Sequence, residues 1–154
     1  MGQDYFLIVS KMKYKSVYWI GVLSLFLGCS KSKQNIEYGK DNCHLCQMRI
    51  MDPKFGAEAI TDKGRCYKFD SVECLLNYLN ESEAEHSHVF VTDFEQPGSL
   101  IDAQSAYFLV SKNMPSPMGG YLSAFSDVNA AEYHRSQKTG EIYTWEEIKA
   151  LYQK

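Results

Sequence analysis

Short apolar runs in the middle of the chain predict a mixed arrangement of strands and helices. Residues 55–61 and 65–69 predict two strands, and Asp62-Lys63-Gly64 between them predicts a hairpin loop because glycine permits a positive φ. Asp70-Ser71-Val72-Glu73 then predicts an N-cap with an acidic residue at N3 reaching back. Four apolar residues at helical spacing predict a helix of roughly ten residues: Val72, Leu75, Leu76 and Leu79. Residues 88–94 predict a third strand.

The second half of the chain predicts the same order of elements. It comprises strands over residues 106–111 and 120–125, a helix over 127–137 capped by Ser126, a strand over 141–145 and a last helix over 146–152. Phe69 and Val72 at the first strand-to-helix joint recur as Phe125 and Val128, which indicates an internal repeat. The predicted fold class is therefore α+β, with related ββαβ units over residues 43–97 and 104–154. We expect the units to pack together, because each alone would bury too little apolar surface.

The N-terminal region predicts an export signal. Residues 17–27 form an apolar stretch behind two lysines that is too short for a permanent membrane span. Gly28-Cys29 follows and resembles a bacterial lipobox, in which the cysteine is diacylated and becomes the new N-terminus; Phe26 stands where leucine is usual. We expect a lipoprotein signal over residues 1–29, with Cys29 carrying the lipid. The protein would then be exported and lipid-anchored to the bacterial cell membrane, facing the periplasm or cell exterior. The other interpretation is a buried amphipathic helix.

The segment after Cys29 indicates how the domain is attached, and the overall charge limits the partners that it can bind. Residues 30–42 are polar and of mixed charge, so they predict a flexible tether between the lipid and the folded domain. The net charge is -3, and basic and aromatic residues are not interleaved, so no nucleic-acid partner is expected. Outside the cytosol, free thiols tend to be oxidised unless a metal or a reductant protects them.

A dense group of sulfur ligands opens the predicted domain. Cys43 and Cys46 stand at CxxC spacing, with His44 between them and Met48 close behind. Thiols and thioethers are soft ligands, which select Cu(I), zinc or a redox role over magnesium or calcium. The CxxC spacing alone does not decide among these, because zinc modules and thioredoxin-like enzymes use it too.

A second sulfur-bearing segment is the loop over residues 114–120, which contains two prolines and two methionines. The prolines restrict their neighbours to extended conformations and stiffen the loop. One interpretation is a hairpin loop whose methionines fill gaps in the core, as methionine normally does. The other, which the CxxC pair favours, is that Met118 supplies a thioether ligand to Cu(I), an ion that tolerates two or three sulfur ligands.

Three motifs together resemble one protein family. Cys-x-x-Cys-x-Met, Phe-Asp at a helix start and Pro-Met-Gly before Ala-Phe resemble the accessory lipoproteins of nitrous-oxide reductase (NosL-like), over roughly residues 43–125. The resemblance implies paired ββαβ units and a non-enzymatic copper chaperone. It also implies Cu(I) ligands at Cys43 or Cys46 and at Met118, with Met48 as a further candidate. Gln47 departs from the family, which usually has glycine there. The implied partner is nitrous-oxide reductase or its copper-assembly proteins.

Two further cysteines leave rival interpretations open. Neither Cys66, by strand alternation, nor Cys74, by helical spacing, is expected in the core. The pair can form a disulfide, join the metal site or remain free thiols. A zinc-stabilised domain would need Cys43, Cys46 and two more ligands from Cys66, Cys74 or a histidine. A thiol-disulfide oxidoreductase is less favoured, because the CxxC does not open a helix whose dipole would lower a thiol pKa. His44 is expected to be a solvated spacer.

Overall fold

The computed structural model describes residues 32–153, which contain seven strands and three helices. In chain order these are β1 (Ala57–Thr61), β2 (Cys66–Phe69), α1 (Val72–Glu81), β3 (His86–Thr92), β4 (Leu100–Asp102), β5 (Tyr107–Val110), β6 (Leu122–Phe125), α2 (Val128–Lys138), β7 (Glu141–Tyr143) and α3 (Trp145–Tyr152). The predicted signal and Cys29 lie outside the described residues. Within residues 32–153, no helix has the length and apolar character needed to cross a membrane.

The strands form two antiparallel sheets with matching topology. The first sheet has the order β2-β1-β3-β4 and the second β6-β5-β7. In each, the first strand of the unit lies in the middle and pairs with the second and third strands on either side. The repeat of two ββαβ units is confirmed. Strand β4 was not predicted, because three residues are too few to show a period.

The two units share one core, as expected. Phe69 and Leu75 of the first unit pack in the same buried cluster as Phe108, Leu122 and Ile148 of the second. The end of β3 also reaches β6, where the backbone N–H of Phe94 donates to the carbonyl of Ala124 at 2.8 Å. Because side chains of both units fill this core, neither sheet has to bury its apolar face alone.

Both predicted helix caps lie one residue too early. Ser71, not Asp70, is the N-cap of α1, and its hydroxyl accepts from the backbone N–H of Cys74 at 3.3 Å. Asp127, not Ser126, caps α2. In both cases the residue before the cap is directed to another partner: Ser126 donates to Asp93 at 2.5 Å, and Asp70 faces a group of thiols.

Residues 32–42, which were predicted to belong to a flexible tether over residues 30–42, pack on the folded domain instead. Over the part that the structure describes, residues 32–42, Ile36 is buried in the core, and Lys33 donates to the carbonyl of Leu100 at 2.9 Å. The backbone N–H of Gln34 donates to the carboxyl of the fully buried Glu58 at 2.9 Å. This stretch therefore packs on the first sheet, because one isoleucine and a few long-range hydrogen bonds hold it even without apolar periodicity.

Candidate metal centre

A tight turn presents the CxxC pair. The backbone N–H of Gln47 donates to the carbonyl of Cys43 at 3.0 Å, and that of Cys43 donates to the carbonyl of Met48 at 2.7 Å. Gln47 has φ 62°, the left-handed conformation that favours glycine. The N–H of His44 donates to the carbonyl of Lys68 on β2 at 2.8 Å. The turn is thereby fixed against the edge of the first sheet.

The joint between β2 and α1 brings two more potential ligands to this turn. Asp70 follows β2 directly, and Cys74 lies in the first turn of α1. One ligand atom from each of four residues lies within 4.8 Å of the other three: Cys43, Cys46, Asp70 and Cys74. Cys46 is partly exposed and the other three are buried. The group therefore has one side open to solvent and three ligands in the interior.

Hydrogen bonds to sulfur favour a thiolate at Cys43. The Cys74 thiol donates to the Cys43 sulfur, and the backbone N–H groups of Cys46 and Asp70 also donate to it. Led by the Cys74 contact and opposed by burial, these interactions lower the pKa of Cys43 to about 6. Cys43 is consequently a thiolate at neutral pH, which is the form that binds metals.

The other two thiols have raised pKa values, and one carboxyl oxygen of Asp70 lacks a hydrogen-bond partner within the described residues. The hydrogen bond that Cys74 donates to Cys43, together with burial, raises the pKa of Cys74. Burial also raises the pKa of Cys46. Asp70 is 4% exposed, and its Oδ1 has no hydrogen-bond partner among residues 32–153. Buried polar atoms are normally satisfied, so an unpaired oxygen beside three thiols is a reason to expect a ligand there.

The methionines predicted from the sequence differ in exposure. Met48 and Met118 are 49% and 41% exposed, whereas Met114 is 6% exposed and packs with Leu109 and Phe125. Met48 follows the CxxC turn directly, and its N–H donates to the Cys46 sulfur. The core-filling interpretation thus holds for Met114, while Met48 and Met118 are available at the surface.

The loop that carries Met118 is attached to the start of α1. Ser116 donates a hydrogen bond to the carboxyl of Glu73, the residue before Cys74, and the N–H of Leu122 donates to the same oxygen at 3.4 Å. The N–H of Tyr121 donates to the Ser116 hydroxyl at 2.8 Å. Glu73 is 3% exposed. Glu73 therefore joins the methionine loop to the helix that carries the third thiol.

Cys66 and His44 lie outside the group of four. Cys66 contacts the buried carboxyl of Glu58, and burial followed by that carboxylate raises its pKa to about 11. All four cysteines within residues 32–153 are free thiols, so no Cys66–Cys74 disulfide is present. Cys74 is 1% exposed, which corrects the expectation that it lies outside the core. His44 is exposed and packs against Tyr67 with the two rings tilted and their centroids 4.3 Å apart, consistent with a spacer.

The fold and the site together define a class: a small two-unit α+β protein that presents a thiol group able to hold a metal ion. Comparison with known proteins identifies the family. The NosL family model matches residues 36–152, and the chain belongs to the NosL family. It is 30% identical over 138 residues to the copper-binding lipoprotein NosL of Stutzerimonas stutzeri, covering 79% of this chain and 72% of that protein.

A solved structure agrees. The crystal structure of the copper chaperone NosL from Shewanella denitrificans superposes with a TM-score of 0.69 at 27% identity. The match covers 76% of this chain and 95% of that one. The fold described above is therefore that of a NosL protein.

Proposed function

We propose that this protein is a Cu(I) chaperone, exported and lipid-anchored through Cys29, that delivers copper for the assembly of nitrous-oxide reductase. The observation that carries the proposal is the group of three thiols at the edge of a NosL fold, with one thiol partly exposed. Similar proteins are named as a copper-binding lipoprotein and a copper chaperone. Cu(I) prefers thiolate and thioether sulfur, which is the chemistry of these side chains.

The ligands that we propose from the sequence are Cys43, Cys46 and Met118, with Met48 as a further candidate. Support for the cysteines is their proximity and the lowered pKa of Cys43. Support for the two methionines is their exposure and their positions, one directly after the CxxC turn and one on a loop held to the start of α1. A thioether needs no deprotonation, so it binds Cu(I) at any physiological pH.

A metal site at the edge of the protein suits transfer of the ion to a partner rather than storage of the ion or catalysis. A groove of about 280 Å³ runs past the CxxC turn and is lined by Cys43, His44 and Cys66 among others. Cys46, the partly exposed member of the thiol group, is where a sulfur or imidazole ligand of a partner would add to the metal before a resident ligand leaves. The lipid would confine the chaperone to the membrane surface, so that donor and acceptor meet on the same face of the membrane.

Zinc is the second candidate, and one observation favours it. Asp70 would add a fourth ligand beside the three cysteines, and sites with four protein ligands are typical of structural zinc. In that case the metal would stabilise the fold and would not be transferred.

A competition titration separates the two candidates. The protein is titrated with Cu(I) against a Cu(I) chelator under reducing, anaerobic conditions, and separately with zinc. We expect one Cu(I) per chain, bound far more tightly than zinc, and little change in the unfolding temperature when metal is removed. Preferential zinc binding with unfolding on chelation would contradict the chaperone and support the zinc domain.

Variants test the ligand set in the same assay. Cys43→Ser and Cys46→Ser should abolish tight Cu(I) binding. Met118→Ile keeps the size and apolar character of the side chain while removing sulfur, so the fold should survive and the affinity should fall. Met114→Ile is the matched control on the same loop and should leave the affinity unchanged. If Met118→Ile binds as tightly as the parent, Met118 is not a ligand.

A further inference from the structure

Cys74 is the one thiol of the group of four that the proposed ligand set does not use. It lies at the start of α1, some thirty residues after the CxxC pair in the chain. Its sulfur is nevertheless within 4.8 Å of both other thiols and hydrogen-bonded to one of them. We propose that Cys74 is a third thiolate ligand, so that Cu(I) is held by the sulfurs of Cys43, Cys46 and Cys74, with the thioether of Met118 as an additional ligand outside their plane. This inference rests on the proposed function and extends it.

The spacing of the three thiol sulfurs suits a planar arrangement of these sulfurs around one ion. A metal–sulfur distance of about 2.3 Å places three sulfurs in a plane about 4.0 Å apart. The observed limit of 4.8 Å leaves less than an ångström of adjustment for any pair. Cys46 is at the partly exposed end of the turn and can adjust, whereas Cys43 and Cys74 are fixed in the core at 0% and 1% exposure.

Cys74 lies in the core, but its thiol is directed to polar partners. It is hydrogen-bonded to the Cys43 sulfur and the Asp70 carboxyl, which are the neighbours expected of a ligand. When the metal binds, the Cys74 thiol and the Cys46 thiol each lose a proton to solvent, and the ion lies between the three sulfurs. The backbone N–H groups that already donate to the Cys43 and Cys46 sulfurs remain to offset the negative charge of the thiolates.

Cys66 provides a matched comparison, because it is also a free thiol in the first unit and lies near the same groove. It contacts Glu58 rather than the other sulfurs and is not a member of the group of four. If removing any thiol weakened Cu(I) binding, Cys74→Ser and Cys66→Ser would both show it. Loss of a ligand would weaken Cu(I) binding only in Cys74→Ser.

The test measures Cu(I) affinity of Cys74→Ser and Cys66→Ser by competition with a chelator, using full-length protein purified from a bacterium. We expect Cys74→Ser to bind one Cu(I) at least tenfold more weakly, with Cys66→Ser within twofold of the parent. A Cys74→Ser affinity within twofold of the parent would overturn the proposal. If the parent protein itself does not bind Cu(I), the proposed Cu(I) chaperone function is refuted. That result differs from one in which the parent binds Cu(I) and Cys74→Ser binds it equally well.

A second measurement does not depend on how the variant folds. The parent protein is alkylated with iodoacetamide with and without one equivalent of Cu(I), in enough urea to let buried thiols react, and each cysteine is quantified by mass spectrometry. We expect Cu(I) to slow alkylation of Cys43, Cys46 and Cys74 and to leave Cys66 unchanged. Protection of only Cys43 and Cys46 would show a two-thiolate site and would overturn the proposal.

Discussion

The contact between Glu73 and the methionine loop makes a quantitative prediction about stability and metal affinity. Glu73 accepts hydrogen bonds from the hydroxyl of Ser116 and the N–H of Leu122, both buried. Glu73→Ala would leave these two donors without a partner. At about 1–3 kcal/mol for each buried donor, and with the longer bond at the low end, the free energy of unfolding should fall by about 2 to 4 kcal/mol.

Glu73→Gln is the matched control. The amide keeps the accepting oxygen and replaces Oε2, which has no hydrogen-bond partner within the described residues. The loop contacts therefore survive, and the free energy of unfolding should change by less than about 1 kcal/mol. Urea unfolding of the metal-free protein measures both variants, and the melting temperature of Glu73→Ala should drop by roughly 10 °C.

The same pair tests whether the contact positions Met118. In Glu73→Ala the loop is released, so the Cu(I) affinity should fall to about that of Met118→Ile, and combining the two changes should cause little further loss. Glu73→Gln should retain the parent's affinity. Equal stability of Glu73→Ala and the parent would refute the reasoning about the hydrogen bonds. Additive losses of affinity in the double variant would refute the positioning role.

Three further predictions concern the turn, the thiols and the lipid. Gln47→Gly removes a left-handed non-glycine residue, so it should stabilise the metal-free protein by about 0.5 to 1 kcal/mol in urea unfolding, and a loss of stability would contradict the φ-based argument. At pH 7.5 Cys43, whose pKa is about 6, is already ionised, whereas Cys46 and Cys74 have raised pKa values. Binding of Cu(I) by all three should therefore release about two protons in calorimetry across buffers, and one proton would fit Cys43 and Cys46 alone. Cys29→Ala should move the protein from the membrane fraction to the soluble or unprocessed fraction, and an unchanged processed membrane pool would exclude the lipid anchor.

The order of strands and helices could be predicted from the sequence because it is a local property. Apolar periodicity and the hairpin loop at Gly64 located β1, β2 and α1 to within two residues at each end. The repeat followed from the same joint recurring at Phe69 and Phe125. The expectation of glycine at position 47 also has a local cause, since Gln47 adopts φ 62° in this turn.

The membership of the thiol group could not be decided from the sequence, which left open whether Cys74 joins the metal site, because it depends on contacts between distant segments. Helical spacing placed Cys74 off the apolar stripe, but the CxxC turn docks over the start of α1 and buries it. Asp70 was assigned to the helix cap, a local role that Ser71 takes instead. The sequence did contain one indication of the larger group: Asp70 and Cys74, a carboxyl and a thiol four residues apart, both lie at the start of α1. The positions of the methionine ligands remain a prediction.

X-ray absorption at the copper edge of the Cu(I)-loaded protein tests the central claim most directly. Copper at this thiol group should give an edge typical of Cu(I) and a first coordination shell of sulfur alone, at about 2.3 Å as for other metal thiolates. The signal should be lost in the Cys43→Ser/Cys46→Ser double variant. A shell dominated by nitrogen or oxygen, or a copper signal that persists in that double variant, would contradict the assignment of this thiol group as the copper site.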